Sequence, residues 1–195
     1  YHRTKNNMNV EISLLNLQAG EQNDPIIKEV FQQISGRIYS MSLVHEQLYR
    51  SDDLETIRLD QYLPLLVSQL KYSFTHSPGQ VTLNFDCEPV EIGLERAVPL
   101  GLVLNEVITN AFKHSFPEGR KGTIDFHMRH LDSGRIGIDI QNDGVNLPED
   151  LNIEKPETLG LRLIHLLLVE QLGGTFNVSS SNGVLYSLEL ELNPE

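Results

Sequence analysis

The 195-residue chain has a single cysteine, Cys87. That excludes an internal disulfide and a cysteine-based metal cluster, and it fits a reducing cytosol. Positive charge is scarce as well: 15 Lys and Arg stand against 27 Asp and Glu, a formal net charge of −12 at pH 7. A general nucleic-acid binder carries a basic patch, so that class is set aside, while local basic pockets for phosphate remain open. No apolar run is long enough to cross a membrane, and no signal peptide is recognisable. The expectation is a cytoplasmic chain without membrane contact of its own. Internal repeats and low-complexity tracts are also missing. What remains, 39% hydrophobic and 22% charged residues, is ordinary for a soluble globular protein. The length suits one large domain, or a small one plus a medium one. The chain opens inside an apparent helix, at Tyr1-His2-Arg3, and is expected to be a piece of something longer.

The stretch around which the chain is organised runs from Pro99 to Pro117. Leu100, Val103, Leu104, Val107, Ile108 and Ala111 recur at helical spacing and form one apolar stripe. Glu106, Asn110, Lys113 and His114 fall in an arc of roughly 100° beside that stripe. A carboxylate, a carboxamide, an ammonium and an imidazole then meet at the edge of a buried face. This set suits a nucleoside triphosphate with a metal ion. An amide oxygen is a hard ligand for Mg²⁺, which binds together with substrate phosphates. Lysine brings positive charge to phosphate oxygens, and a glutamate can accept a proton or orient a group. An ordinary polar flank on a surface helix explains the spacing equally well.

Two helices precede this stretch. In residues 2–19, Met8, Ile12, Leu15 and Ala19 make one apolar row and Val10, Leu14 and Leu17 a second. His2, Asn6, Asn9, Ser13 and Asn16 make a polar row. Gly20 is the expected stop, and Asp24-Pro25 the cap and first turn of the next helix. That helix runs to about Tyr49, with Ile27, Phe31, Ile34, Ile38, Met41, His45 and Leu48 as a heptad-like seam. The pair forms an antiparallel hairpin with more apolar surface than one partner covers. A four-helix bundle from two chains buries it, so a homodimer is expected.

Further along, Glu55–Leu59 reads as a short strand, and Asp60 opens a helix carrying Leu63, Leu66, Val67, Leu70 and Phe74. Val81–Asp86 alternates as a strand, and Pro89–Ile92 is a candidate to extend the sheet. Thr123–Leu131 and Arg135–Gln141 are strands, and residues 143–158 are loop-like. Leu159–Leu172 is a helix closed by Gly173-Gly174. Two last strands flank Asn182-Gly183, a strong hairpin signal. Helices on one face of a mainly antiparallel sheet define an α+β sandwich.

These residues carry a resemblance. His2-Arg3-Thr4-Lys5-Asn6-Asn7, with Ile12-Ser13-Leu14-Leu15-Asn16-Leu17-Gln18, is similar to the phospho-acceptor segment of the His-Arg-x-Lys-Asn-Asn subgroup of sensor histidine kinases. Arg37-Ile38 and Val44-His45-Glu46-Gln47-Leu48-Tyr49 resemble its second hairpin helix. Leu100–Glu106 with Thr109-Asn110-Ala111 and Lys113-His114 resembles the asparagine motif. Leu159-Gly160-Leu161-Arg162-Leu163-Ile164 with Glu170-Gln171-Leu172-Gly173-Gly174 resembles the last glycine motif. The four blocks stand in family order and cover nearly the whole chain.

The resemblance implies a dimerisation and histidine-phosphotransfer hairpin in residues 1–50. Residues 54–195 would be an ATP-binding domain of the fold shared by gyrases, Hsp90-type chaperones and histidine kinases. His2 would be the phospho-acceptor: its polar row exposes it, and neutral imidazole is a usable nucleophile near pH 7. Glu106 would assist the proton or orient the attacking group. Asn110 would coordinate Mg²⁺, and Lys113 and His114 would contact phosphate. Gly144, Gly160 and Leu161 would line the nucleotide, and the loop from Val145 to Thr158 would be its lid. His45 is the expected core histidine, and His76, His127, His130 and His165 show no metal-ligand spacing.

The first glycine motif departs from the family pattern Asp-x-Gly-x-Gly: the aligned residues are Asn142-Asp143-Gly144-Val145-Asn146. The family aspartate accepts a hydrogen bond from the adenine amino group. Asn142 shares the face of Ile136, Ile138 and Ile140, and its carboxamide oxygen is expected to accept that bond without the charge. Asp143 points the other way. Asn146 replaces a glycine and is expected to tolerate left-handed backbone.

The leading expectation is therefore an ATP-dependent kinase that phosphorylates His2 and passes the phosphoryl group to a response-regulator receiver domain, under an upstream sensor domain. A degenerate pseudokinase or a phosphotransfer protein relaying through His2 without ATP is the alternative. An ATPase or serine-kinase relative sharing only the nucleotide fold is a third.

Overall fold

The computed structural model describes residues 2–50, 55–74, 79–131, 134–147 and 158–192, with only the backbone for residues 2–5 and 50. Helix α1 (His2–Glu21) and helix α2 (Pro25–Arg50) form the expected hairpin. Helix α1 runs one residue past the expected stop, through Gly20. Asp24 caps α2: its carboxylate accepts the Ile26 N–H at 2.8 Å and its carbonyl accepts the Lys28 N–H at 3.0 Å. Of the two apolar rows on α1, one is turned inward, with Ala19 buried and Met8, Ile12 and Leu15 half-buried. Val10, Leu14 and Leu17 remain exposed, as do Ile26, Val30 and Ile34 of α2. Both helices of the hairpin thus leave apolar side chains uncovered within one chain.

Strand β1 (Thr56–Arg58) leads into helix α3 (Leu59–Phe74). Strand β2 (Val81–Cys87) follows, then strand β3 (Glu91–Gly93). Strand β3 does not extend the main sheet; it pairs antiparallel with β1 as a separate two-stranded ribbon. Helix α4 (Leu94–Ser115) starts five residues before Pro99, with Glu95 in its first turn, where a carboxylate complements the helix dipole. Strands β4 (Gly122–His130) and β5 (Arg135–Asn142) are next. Helix α5 (Leu159–Ile164) is shorter than expected. The remainder of that segment, His165–Gln171, is π-helical, and the Leu172 N–H reaches back five residues to the Leu167 carbonyl at 3.0 Å. Strands β6 (Thr175–Ser180) and β7 (Val184–Glu191) close the chain. Asn182 and Gly183 between them have φ of 55° and 110°, the positive values a tight hairpin demands.

The main sheet has the order β2-β4-β5-β7-β6, with only β2 and β4 parallel. Its strands alternate. Ile136, Ile138 and Ile140 of β5 are buried under the helices, whereas Asp139 and Gln141 face solvent. The α4 stripe is buried against that inner face in one core with Phe126, Met128 and Leu188. The result is the expected α+β sandwich preceded by a helical hairpin. The same core takes in Leu43, Val44 and Leu48 of α2. The buried Tyr62 hydroxyl of α3 also donates to the Ser40 carbonyl of α2 at 3.3 Å.

Candidate active site

Helix α4 divides its polar arc between two sides. Asn110 and His114, one turn apart, line a cavity of about 370 Å³ beside α5 and the β6–β7 end of the sheet. Val145, Leu161, Val184 and Tyr186 give it apolar walls. Burial pushes the Tyr186 hydroxyl up to about 12, so it stays neutral. Glu106 and Lys113 turn instead toward the hairpin. Arg37 of α2 holds the Glu106 carboxylate through Nε to Oε1 at 2.8 Å and Nη2 to Oε2 at 3.1 Å. Asn105 adds an Nδ2 donor to Oε1 at 3.3 Å. Two turns further along the same face of α4, Lys113 Nζ bonds Glu29 Oε1 at 2.7 Å and lies 5.4 Å from the centre of the Phe74 ring.

The electrostatics follow from these pairs. Hydrogen bonding and charge from Lys113 hold the Glu29 carboxyl below its usual range. Burial, and then the neighbouring Lys113 ammonium, push the His114 imidazole down. A neutral His114 faces the cavity at pH 7.

The loop after β5 is fixed by short bonds. Asn142 is buried on the isoleucine face, as its register with Val184 requires. Its carboxamide oxygen, however, accepts the Gly144 N–H at 3.0 Å. The oxygen expected to meet an adenine amino group thus already accepts one bond and keeps a second lone pair, while Nδ2 is a buried donor with no partner among the described residues. Asp143 points away and accepts the Thr123 N–H at 2.7 Å. Gly144 is needed for close approach, since a Cβ there would lie 2.3 Å from the Ser115 carbonyl oxygen. Asn146 does not use the left-handed backbone it was expected to tolerate; its side-chain oxygen accepts the Gly183 N–H at 2.9 Å and so ties the loop to the last hairpin.

Gly160 begins α5 directly against Glu106, and a Cβ on it would lie 2.7 Å from Oε2. Thr158 caps α5 by accepting the Leu161 N–H at 3.3 Å. His2 lies in the first turn of α1, and its side chain is outside the described set, as are residues 148–157 of the expected lid. Sequence reasoning missed Arg37 and Glu29 as part of this region. A signal existed. Glu29 and Arg37 on α2 are two turns apart, as are Lys113 and Glu106 on α4, and the signs match when the two helices run opposite ways. Among the described residues no cluster of His, Cys, Asp and Glu is arranged to hold a metal by itself, and no helix is long and apolar enough to cross a membrane.

Comparison with known proteins agrees with this layout. Residues 1–74 match the family model described as "Histidine kinase", and residues 95–194 match "Histidine kinase-, DNA gyrase B-, and HSP90-like ATPase". All of the chain aligns at 24% identity with 56% of "Blue-light-activated histidine kinase 2" of Erythrobacter litoralis. At 27% identity, 91% of it aligns with 35% of "Sensor histidine kinase PdtaS" of Mycobacterium tuberculosis. The chain therefore spans about half or less of these curated relatives. Among solved structures, the histidine kinase domain of a blue-light-activated kinase from Erythrobacter litoralis superposes with a TM-score of 0.75 at 22% identity, covering 97% of this chain and 91% of that one.

Proposed function

The chain belongs to the histidine kinase-, DNA gyrase B- and HSP90-like ATPase family, and on that premise we propose that it is the catalytic core of a two-component histidine kinase. In this reading residues 54–195 bind ATP, and residues 1–50 form the phosphotransfer hairpin. His2 takes the γ-phosphoryl group from ATP and gives it to an aspartate on a response-regulator receiver domain. Two chains pair through Val10, Leu14, Leu17, Val30 and Ile34, the apolar face that a single hairpin leaves exposed. An upstream sensor domain sets the activity.

One observation carries the reading: the helix that lines the cavity through Asn110 and His114 grips the hairpin through Glu106 and Lys113. The cavity and the second helix of the hairpin are thus coupled through a single element. Phosphoryl transfer needs mainly positioning and charge neutralisation, and the residues divide that work. Leu161, Val184 and Tyr186 exclude water from the base. Gly144 and Gly160 let loop and helix backbone approach the nucleotide. Neutral His114 donates to phosphate oxygen, and Lys113, once released from Glu29, adds charge. Glu106, once released from Arg37, accepts the proton of the attacking imidazole. The Asn110 carboxamide is a hard oxygen donor at the cavity, which fits Mg²⁺ held jointly with phosphates. When bound, that ion neutralises developing charge.

The test uses γ-labelled ATP with Mg²⁺ on the protein and on His2→Gln, read as acid-labile, base-stable label. Label on the parent alone supports the kinase. No label on either, with transfer to His2 from a phosphorylated receiver domain, replaces it with a phosphotransfer protein.

A further inference from the structure

Arg37 stands where the hairpin, helix α4 and the start of α5 meet. Its Nη2 donates to Glu106 Oε2 at 3.1 Å, and a Cβ on Gly160 would lie 2.7 Å from that same oxygen. Gly160 sits between Thr158 and Leu161, which both line the cavity. Glu106 comes one helical turn before Asn110, which lines it as well. A guanidinium carried by α2 is thus held beside the nucleotide cavity, although it belongs to the hairpin. Glu106 does not depend on it alone, because Asn105 Nδ2 also donates to Oε1 at 3.3 Å.

Two demands on Glu106 conflict. To accept a proton it must be free of Arg37, yet transfer to the hairpin requires the hairpin to stay close to the nucleotide. A guanidinium released while the hairpin is docked remains part-buried, and a part-buried cation needs another anion. We propose that this anion is the γ-phosphate: Arg37 exchanges the Glu106 carboxylate for it and so becomes a catalytic residue supplied by the hairpin. The inference rests on the kinase reading given above. In that reading the attacking imidazole lies between Glu106 and the γ-phosphate, which brings the phosphate within a side chain's reach of the carboxylate. The planar fork of arginine fits phosphate as it fits carboxylate, and its charge offsets that of the transferring group. One exchange then frees the base and neutralises the phosphate together. ADP, lacking the γ-phosphate, leaves the pair closed.

The probes are ADP and the β,γ-imido analogue of ATP, which keeps the γ-phosphate and resists its transfer. Both are titrated by calorimetry with Mg²⁺ on the whole chain. Glu106→Gln is compared with the double variant that carries Arg37→Gln as well. Neither has the carboxylate, so a role of Arg37 limited to neutralising Glu106 drops out of the comparison. The double variant is expected to bind the analogue about tenfold more weakly, the worth of a charge-assisted hydrogen bond, and to bind ADP equally well. Equal affinity of both variants for the analogue, or an equal loss for analogue and ADP, overturns the proposal and leaves the nucleotide site standing. Where Glu106→Gln does not fold, Arg37→Gln is set against the parent. A ratio of the two Kd values shifted about tenfold toward ADP supports the proposal, and an unchanged ratio overturns it. Binding of neither probe by the parent overturns the nucleotide reading and the proposal with it.

Discussion

Arg37 and Glu106 form a two-pronged ion pair between the hairpin and helix α4, with bonds of 2.8 and 3.1 Å. Their side chains are 18% and 8% exposed, which removes the pair from the class of surface bridges worth little. The carboxylate proposed to take a proton in the kinase reaction is therefore occupied by the hairpin. Opening this pair is a precondition of its use.

Removing one partner strands the other charge. Arg37→Ala is expected to lower unfolding stability by about 2–4 kcal/mol. Adding Glu106→Gln should restore much of that loss, since no buried charge remains. Urea melts of both variants check this, and an undiminished loss in the double variant would show that packing rather than charge carries it.

The companion pair predicts an acid sensitivity. Lys113 holds the Glu29 carboxyl below its ordinary value of 4.5. A depressed carboxyl contributes stability that is fully present above the unfolded value and lost as pH falls through the folded one. Hairpin docking should weaken as pH drops below 4.5. Glu29→Gln should flatten that part of the stability–pH curve. Because Glu29 is half exposed, the change is expected to stay within about 0.5 kcal/mol.

His114 gives a direct titration. Burial and Lys113 lower its imidazole from 6.5, so the folded state resists protonation. Stability gained by keeping it neutral is present above 6.5 and lost as pH falls through the depressed folded value. Proton NMR of the ring should show a midpoint below 6.5. Lys113→Ala should raise the midpoint, and a fall instead would remove Lys113 as a cause.

Two glycine substitutions should separate fold from function. Gly144→Ala forces a Cβ to 2.3 Å from the Ser115 backbone oxygen, and a loss of about 1–3 kcal/mol is expected from thermal melts. Gly160→Ala meets only the end of the Glu106 side chain. It should melt near the parent temperature while losing about tenfold or more in His2 labelling, by displacing a group that must be positioned.

The exposed hairpin face is the proposed pairing surface. Leu14→Glu places a carboxylate in the middle of the Val10–Leu14–Leu17 row, which is exposed in one chain. Sedimentation should show dimers for the parent and monomers for the variant at micromolar concentration. Dimers in both would move the interface elsewhere.

Much of this was legible because periodicity survives folding. The α4 stripe, the alternating isoleucines of β5 and the Asn182-Gly183 turn were readable from local rules. What escaped reading was partnership across distance. Glu106 and Lys113 were read by their angle on one helix, but their bond partners lie 69 and 84 residues away. Helical spacing carries no information about what docks opposite. Asn142 was placed on the correct face, yet a bond to Gly144, only two residues on, decided how its amide is turned. The switch from α to π at His165 left no trace in the apolar pattern. Both windings bury Leu168 and Leu172, so side-chain spacing alone did not tell them apart.

The last turns of α2 belong to the same core as the nucleotide-binding layers, with Leu43, Val44 and Leu48 buried there and Ser40 accepting the Tyr62 hydroxyl. This constrains how such a gene is reshuffled. A crossover near residue 54 would join two halves whose apolar surfaces had been shaped against different neighbours. Hairpin and α/β sandwich are therefore expected to be inherited as one block.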